Sequence, residues 1–235
     1  MHGKCVLQNP LCRSCTVIAI DNQIRNDSIG VCYNRFLDSR PADEDAWYVF
    51  CHEDFEFKED PERALENLDR NTLWGPIGAS TKVVLGLYHK WQFVGSVEEC
   101  KKDGSNEHLV GVPVPLGTRV ETFDCQCLIV HSSLVQKHHL RFDENLTFDL
   151  YAEDFCIAAH EKAGVESRII PLSVRHWSGG SVQPRYYEQE AYLNRKYPNA
   201  CYTGTSSWSI GGNPPFGRRM TIALKTLVKE HHGHA

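Results

Sequence analysis

Apolar runs of strand length alternate with stretches of helical periodicity along the first part of the chain. Strand-type runs occupy residues 16–20 and 46–50, and helical spacing predicts a helix over 29–37 between them. A strand, a helix and a second strand in this order are typical of a parallel pair joined by a crossover. The pattern therefore predicts a single α/β domain with an open, mixed and mostly parallel sheet flanked by helices.

The middle of the chain continues this alternation. The patterns predict further strands at 83–88, 110–114, 120–130 and 167–174, and further helices at 61–68, 132–139 and 152–163. The clearest helix is the last of these, because Glu153 and Asp154 lie in its first turn, where the helix dipole favours acids, and Gly164 ends it. Residues 91–107 are charged and indicate an irregular segment.

The length of 235 residues suits one large domain, or one domain with a tail. We divide the chain into an irregular N-terminal segment (1–15), a core (16–180) and a C-terminal extension (181–235). The extension is rich in aromatic residues and glycine, and a terminal helix is expected at 218–229.

Charge and hydropathy exclude two classes of partner. The net charge is −5 and no basic stripe is interleaved with aromatic residues, so we expect no nucleic-acid surface. No run approaches the roughly 18–20 apolar residues of a membrane span, and no apolar signal-peptide core follows Met1. These features predict a cytoplasmic protein with mostly reduced cysteines. A zinc knuckle at Cys5, Cys12 and Cys15 is disfavoured because no second pair follows at ligand spacing.

A polar triplet, His52-Glu53-Asp54, follows the apolar run at 46–50. In open α/β sheets, ligands bind outside the carboxyl ends of the strands. An acidic cluster delivered there is a candidate site for a hard cation or for a metal with phosphate. The alternative interpretation is a solvated strand end that opens a polar loop.

Other polar side chains also lie at the ends of predicted elements. Asp21 and Asn22 follow the run at 16–20, the pair Glu153-Asp154 begins a helix, and His176 ends a late strand. This ordered set resembles the nucleotide-sugar glycosyltransferases of the GT-A fold. Within that group it is most similar to the family-2-like bacterial and viral transferases that carry HxD in place of DxD.

The resemblance covers roughly residues 16 to 180. It is supported by Asp21-Asn22, by Tyr33-Asn34-Arg35 and by the sequence Arg141-Phe142-Asp143-Glu144 ahead of the acidic pair. The family's usual opening strand, with a motif like Ser-Val-Ile-Ile-Pro, is not recognisable. We therefore expect an abbreviated nucleotide-binding part.

The resemblance implies a metal-dependent glycosyltransferase. It would move a sugar, with inversion, from a UDP- or GDP-linked donor to a glycan or another hydroxyl acceptor. Asp54 and His176 would hold Mn²⁺ or Mg²⁺, and imidazole favours Mn²⁺. Asp154 would take the acceptor proton, and Glu153 would face the acceptor or orient the loop. Contacts to the donor are expected from Asp21, Asn22, Asn34, His52 and Asp124.

Two other functions fit the same residues. The HxD substitution and the short N-terminal part are also expected of a non-catalytic sugar- or nucleotide-binding module on a degenerate GT-A scaffold. A metal-dependent phosphoester hydrolase is a third interpretation, because acids and histidine at strand ends serve that chemistry too. The fold alone does not choose among them.

Overall fold

The computed structural model describes residues 6, 8–84, 88–177, 183–207 and 209–223. These form a mixed α/β structure with two sheets. The helices are α1 (Ile29–Asp38), α2 (Pro61–Leu65), α3 (Ser132–His138), α4 (Tyr151–Ala163) and α5 (Pro184–Lys196), with a 3-10 turn at Pro10–Cys12. Residues 216–223 are also helical, and the rest of the expected terminal helix lies outside the described residues.

Eleven strands are present in the described part of the chain. They are β1 (Trp47–Cys51), β2 (Phe55–Phe57), β3 (Leu73–Gly75), β4 (Ile77–Val84), β5 (Tyr88–Glu99), β6 (His108–Val112), β7 (Arg119–Val120), β8 (Thr122–Phe123), β9 (Cys127–His131), β10 (Ser167–Ile169) and β11 (Val174–His176). One sheet has the order β1-β9-β3-β10-β7. The other has the order β2-β11-β5-β4-β8, with β6 also paired to β5.

The prediction of a mostly parallel sheet is wrong. Among the described pairings only β3 with β10 and β5 with β11 are parallel. Strand β4 joins β5, and β5 joins β6, through antiparallel pairings with short connections. A parallel pair needs a crossover of about a dozen residues or more, which these connections do not provide.

The predicted opening strand at 16–20 is also absent. These residues are outside any strand, and Val17, Ile18 and Ile20 are 36%, 48% and 44% exposed. An apolar run becomes a strand only where a neighbour supplies backbone hydrogen bonds, and β1 pairs in the described structure with β9 alone. The expected parallel β-α-β unit therefore does not form.

Three other segments differ from the prediction. The strand expected at 120–130 is divided among β7, β8 and β9, and β8 belongs to a different sheet from the other two. The segment expected to be irregular contains most of the twelve-residue strand β5, in which Val94 and Val97 are buried and the charged residues Glu98 and Glu99 are partly exposed. The strand expected at 167–174 is divided into β10 and β11, which belong to different sheets. Pro171 lies between them, and proline has no N–H to donate to a ladder.

The confirmed elements α1, β1, α3 and α4 surround the larger hydrophobic core. Phe50, Phe142 and Phe155 lie in this core, and the C-terminal extension adds Leu193 and Ile210 to it. None of the helices in the described part of the chain has the length and apolar composition that a membrane crossing requires.

Candidate functional site

Backbone pairing brings the end of β1 close to the end of β11. The chain turns at residues 52–54 after β1, with Phe55 N donating to the carbonyl of His52 at 3.2 Å, and enters β2. Strand β2 pairs antiparallel with β11 so that Phe55 is opposite His176, and Trp177 N donates to the carbonyl of Asp54 at 2.9 Å. Asp54 and His176 are therefore neighbours in space although they are far apart in the sequence.

His52, Asp54 and His176 form a compact group, which we call the His/Asp cluster. One potential ligand atom from each residue lies within 4.8 Å of the others. Nε2 of His176 is 3.3 Å from Oδ1 of Asp54, and the two imidazole centroids are 5.7 Å apart. No other group of three metal-binding side chains this close occurs in the described residues, which include Cys12 and Cys15 but not Cys5.

Buried atoms of the cluster lack hydrogen-bond partners. Oδ1 of Asp54 and both ring nitrogens of His176 are buried and make no aligned hydrogen bond. Buried polar atoms are normally paired, so an unpaired set at one point fits a site for a cation. Two imidazoles and one carboxylate suit Mn²⁺, Fe²⁺ or Zn²⁺ better than Mg²⁺ or Ca²⁺, which prefer oxygen ligands.

The contact between Asp54 and His176 favours the charged form of both residues. Burial opposes protonation of His176, yet its contacts with Asp54 and Glu99 raise the pKa of the imidazole to about 9. Burial also opposes ionisation of Asp54, but His176 outweighs it and holds the pKa of the carboxyl below its ordinary value. Burial and the charge of His176 lower the pKa of His52. A cation that takes the place of the His176 proton would therefore find an ionised Asp54 beside it.

His52 is held in place from two sides. Its Nε2 lies 2.9 Å from the hydroxyl of Tyr151, and the ring of Phe148 stacks on it with centroids 5.6 Å apart. Tyr151 begins α4 and donates its own hydroxyl proton to the carbonyl of Cys125. Tyr151 was not among the site residues predicted from the sequence, where its one local signal is an aromatic hydroxyl two positions before the acidic pair.

Asp124 lies between β8 and β9 on the side of the cluster. Its Oδ1 accepts hydrogen bonds from the backbone N and from Nε2 of Gln126, both at 3.1 Å. Its charge raises the pKa values of both His52 and His176, although other effects dominate each. Asp124 therefore contributes to the negative field around the His/Asp cluster. Its predicted contact with the donor sugar stays a prediction.

Glu153 is buried in the first turn of α4. It accepts hydrogen bonds from Oγ1 of Thr205 at 2.7 Å and from Sγ of Cys125 at 3.2 Å. Burial, together with the charge of Asp124, raises the pKa of the carboxyl to about 7. Glu153 therefore has a proton affinity suited to proton transfer near neutral pH, but it is only 2% exposed.

Asp154 faces different partners. It accepts two hydrogen bonds from Nζ of Lys196, at 2.7 and 2.9 Å, and one from the Tyr197 hydroxyl at 2.7 Å. Burial raises the pKa of its carboxyl, and Lys196 opposes that shift. Lys196 also donates to Asp143 at 2.6 Å, so the network fastens α4 to the end of α5. None of these partners belongs to the His/Asp cluster, and the role of Asp154 as a base stays a prediction.

The other predicted donor contacts lie around α1. Asp21 accepts from the backbone N of Gln23 at 3.0 Å, which is an Asx turn, and Asn22 makes two hydrogen bonds to the backbone of Asp27. These residues line a groove of about 270 Å³ beside α1. Asn34 is buried and bonds to both N and O of Phe142, so its amide ties α1 to the segment before α4. The structure thus gives Asn34 a packing role, and donor binding by these three residues stays a prediction.

No model of a known protein family matches the chain, and no curated protein is significantly similar to it.

Proposed function

We propose that the protein is a metal-dependent glycosyltransferase that moves a sugar from a nucleotide-diphosphate donor to a hydroxyl acceptor, with inversion. The observation that carries the proposal is the His/Asp cluster. Its ligand atoms lie within 4.8 Å of one another, and several of them are buried without hydrogen-bond partners. A divalent cation held there would neutralise the charge that develops on the departing diphosphate.

In this proposal the residues of the chain have the following roles. His52, Asp54 and His176 bind Mn²⁺ and so place the donor diphosphate at the ends of β1 and β11. Asp124 adds negative charge that strengthens cation binding. Asp154 is the base in this proposal, and Lys196 must release its carboxylate for it to reach an acceptor. The donor is UDP- or GDP-linked, and the acceptor is a glycan or another hydroxyl compound.

One observation favours a second candidate function, a non-catalytic nucleotide- or sugar-binding module. Asp154 is 1% exposed and is neutralised by Lys196, so the carboxylate expected to act as base serves the packing of α4 on α5. In this alternative the His/Asp cluster still binds a cation and a nucleoside diphosphate, but no sugar is transferred.

Thermal unfolding with UDP or GDP, with and without Mn²⁺, tests cation and donor binding. A ligand at one hundred times its Kd stabilises the native state by about 2.7 kcal/mol. We expect this Mn²⁺-dependent stabilisation in the wild type and in Asp43→Ala, an exposed control, and none in Asp54→Ala. Equal stabilisation of Asp54→Ala would refute the metal site.

Transfer assays with UDP- and GDP-sugars then separate the two candidates. For the transferase, Asp154→Asn should lower transfer by about 10²–10⁴-fold, the usual scale for loss of a general base, while Mn²⁺-dependent nucleotide binding persists. Nucleotide binding without transfer or donor consumption in the wild type would support the binding module. Release of phosphate from simple phosphoesters would instead support the hydrolase.

A further inference from the structure

The hydroxyl of Tyr151 has only one proton, and it lies beside the carbonyl of Cys125, Nε2 of His52 and the hydroxyl of Tyr33, from which its oxygen also accepts in this arrangement. It donates that proton to the carbonyl of Cys125, and Nε2 of His52 lies 2.9 Å away on its other side. A carbonyl oxygen only accepts hydrogen bonds, so the direction of the first bond is fixed. The oxygen of Tyr151 must therefore accept from His52, and Nε2 of His52 carries a hydrogen.

A neutral imidazole has one N–H and one nitrogen with a free lone pair. Because Nε2 of His52 is protonated, Nδ1 is the nitrogen with the lone pair. We infer that Tyr151 is a positioning residue that fixes His52 in its Nε2–H tautomer, so that Nδ1 is the atom that binds the cation. This inference rests on the proposed metal site and specifies its chemistry.

The surroundings of Tyr151 make it suitable for this role. The residue is 1% exposed, and its ring packs against Tyr33 and Phe142 with centroids 5.8 and 6.1 Å apart. The hydroxyl therefore has one position, determined by the start of α4. The imidazole of His52 is also restrained, because the ring of Phe148 stacks on it and limits its rotation.

The second imidazole of the cluster is held differently. Nε2 of His176 lies 3.3 Å from Asp54, and its Nδ1 lies 3.9 Å from Glu99, without an aligned hydrogen bond. His52 therefore depends on one neutral hydroxyl for its orientation, whereas His176 is surrounded by carboxylates. Partners of this kind, which fix the tautomer of a metal-binding histidine, typically change metal affinity by about 10–100-fold when they are removed.

Tyr151→Phe removes the hydroxyl and keeps the ring. Tyr48→Phe is the matched control, because Tyr48 is buried in the same core and its hydroxyl bonds to Glu44, away from the cluster. Mn²⁺ titrations should show an affinity about 10–100-fold lower for Tyr151→Phe and unchanged for Tyr48→Phe. Long-range ¹H–¹⁵N correlation spectra of the metal-free protein should show the Nε2–H tautomer of His52 in the wild type and a shift toward Nδ1–H in Tyr151→Phe.

The outcomes separate this inference from the function on which it rests. A wild type that binds Mn²⁺, together with a Tyr151→Phe variant of equal affinity or a wild-type His52 in the Nδ1–H tautomer, would overturn the inference and leave the metal site intact. A wild type that binds no Mn²⁺ would refute both. A loss of stability alone does not imitate the expected result, because it does not select a tautomer.

Discussion

The stability of the protein should depend on pH through Glu153, because the carboxyl group is buried without a cationic partner in the described structure. Its bonds come from Thr205 and Cys125, and Asp124 adds a negative charge nearby. The pKa of Glu153 is raised from 4.5 to about 7. The folded state thus keeps the proton at pH values where the unfolded chain has released it.

The sign and size of the effect follow from that difference. The raised pKa of Glu153 lowers the free energy of unfolding. This loss of stability is absent below pH 4.5, grows as the pH rises to about 7, and is complete above that value. One pKa unit corresponds to about 1.36 kcal/mol, so the shift corresponds to about 3 kcal/mol of lost stability at pH 8. Glu153→Gln removes the charge and keeps an oxygen acceptor for Thr205, so it should remove this penalty.

Urea unfolding at constant ionic strength between pH 4.5 and 8 measures the effect. We expect the free energy of unfolding of Glu153→Gln to rise relative to the wild type by about 3 kcal/mol across this range. Glu188→Gln, at an exposed position of α5, is the control and should show no comparable trend. A constant difference between Glu153→Gln and the wild type would show that burial does not perturb this carboxyl, and our reasoning on Glu153 would fail.

Two further predictions concern His176 and Lys196. Mn²⁺ must displace a proton from the imidazole of His176, whose pKa is about 9, so the Mn²⁺ affinity of the wild type should rise about tenfold per pH unit from pH 6.5 to 8.5. His176→Ala should bind Mn²⁺ weakly, and its affinity should depend less on pH. A wild-type affinity that stops rising above pH 7 would contradict this prediction. Lys196→Met should cost about 3 kcal/mol in urea unfolding at pH 8, since it leaves Asp154 buried without its cation, and adding Asp154→Asn should restore part of that loss. A cost below about 1 kcal/mol would mean that the pair contributes little.

Local patterns in the sequence were sufficient for several helices and for β1. Acids in the first turn and Gly164 at the end marked α4, and the spacing of apolar residues marked α1. Pairing partners were not encoded locally. The run at 16–20 has the composition of a strand but no neighbour in the described structure, and β1 pairs instead with β9, about eighty residues later. Sheet order depends on contacts between distant segments. Local patterns in a single sequence do not report such contacts, and the predicted topology was therefore wrong.

The same distinction applies to the site. Asp54 and His176 were predicted together from their places at strand ends, and the pairing of β2 with β11 brings their side chains to 3.3 Å. The two residues could be predicted to lie close together because the position of each side chain is determined by the strand end that carries it. Tyr151 was missed because its hydroxyl reaches the cluster across the core, and no local pattern reports such a contact.

Glu153 and Asp154 belong to one motif, but the motif does not determine where each side chain points. They are adjacent in the sequence, but neighbours on a helix point about 100° apart. Glu153 consequently faces Thr205 and Cys125, whereas Asp154 faces Lys196 and Tyr197. The charge of Asp124 acts on both Glu153 and His176. Glu153 therefore shares an electrostatic neighbour with the His/Asp cluster. If transfer occurs without a contribution from Asp154, Glu153 is therefore the next acid to test, and its raised pKa already suits a group that accepts a proton near neutral pH.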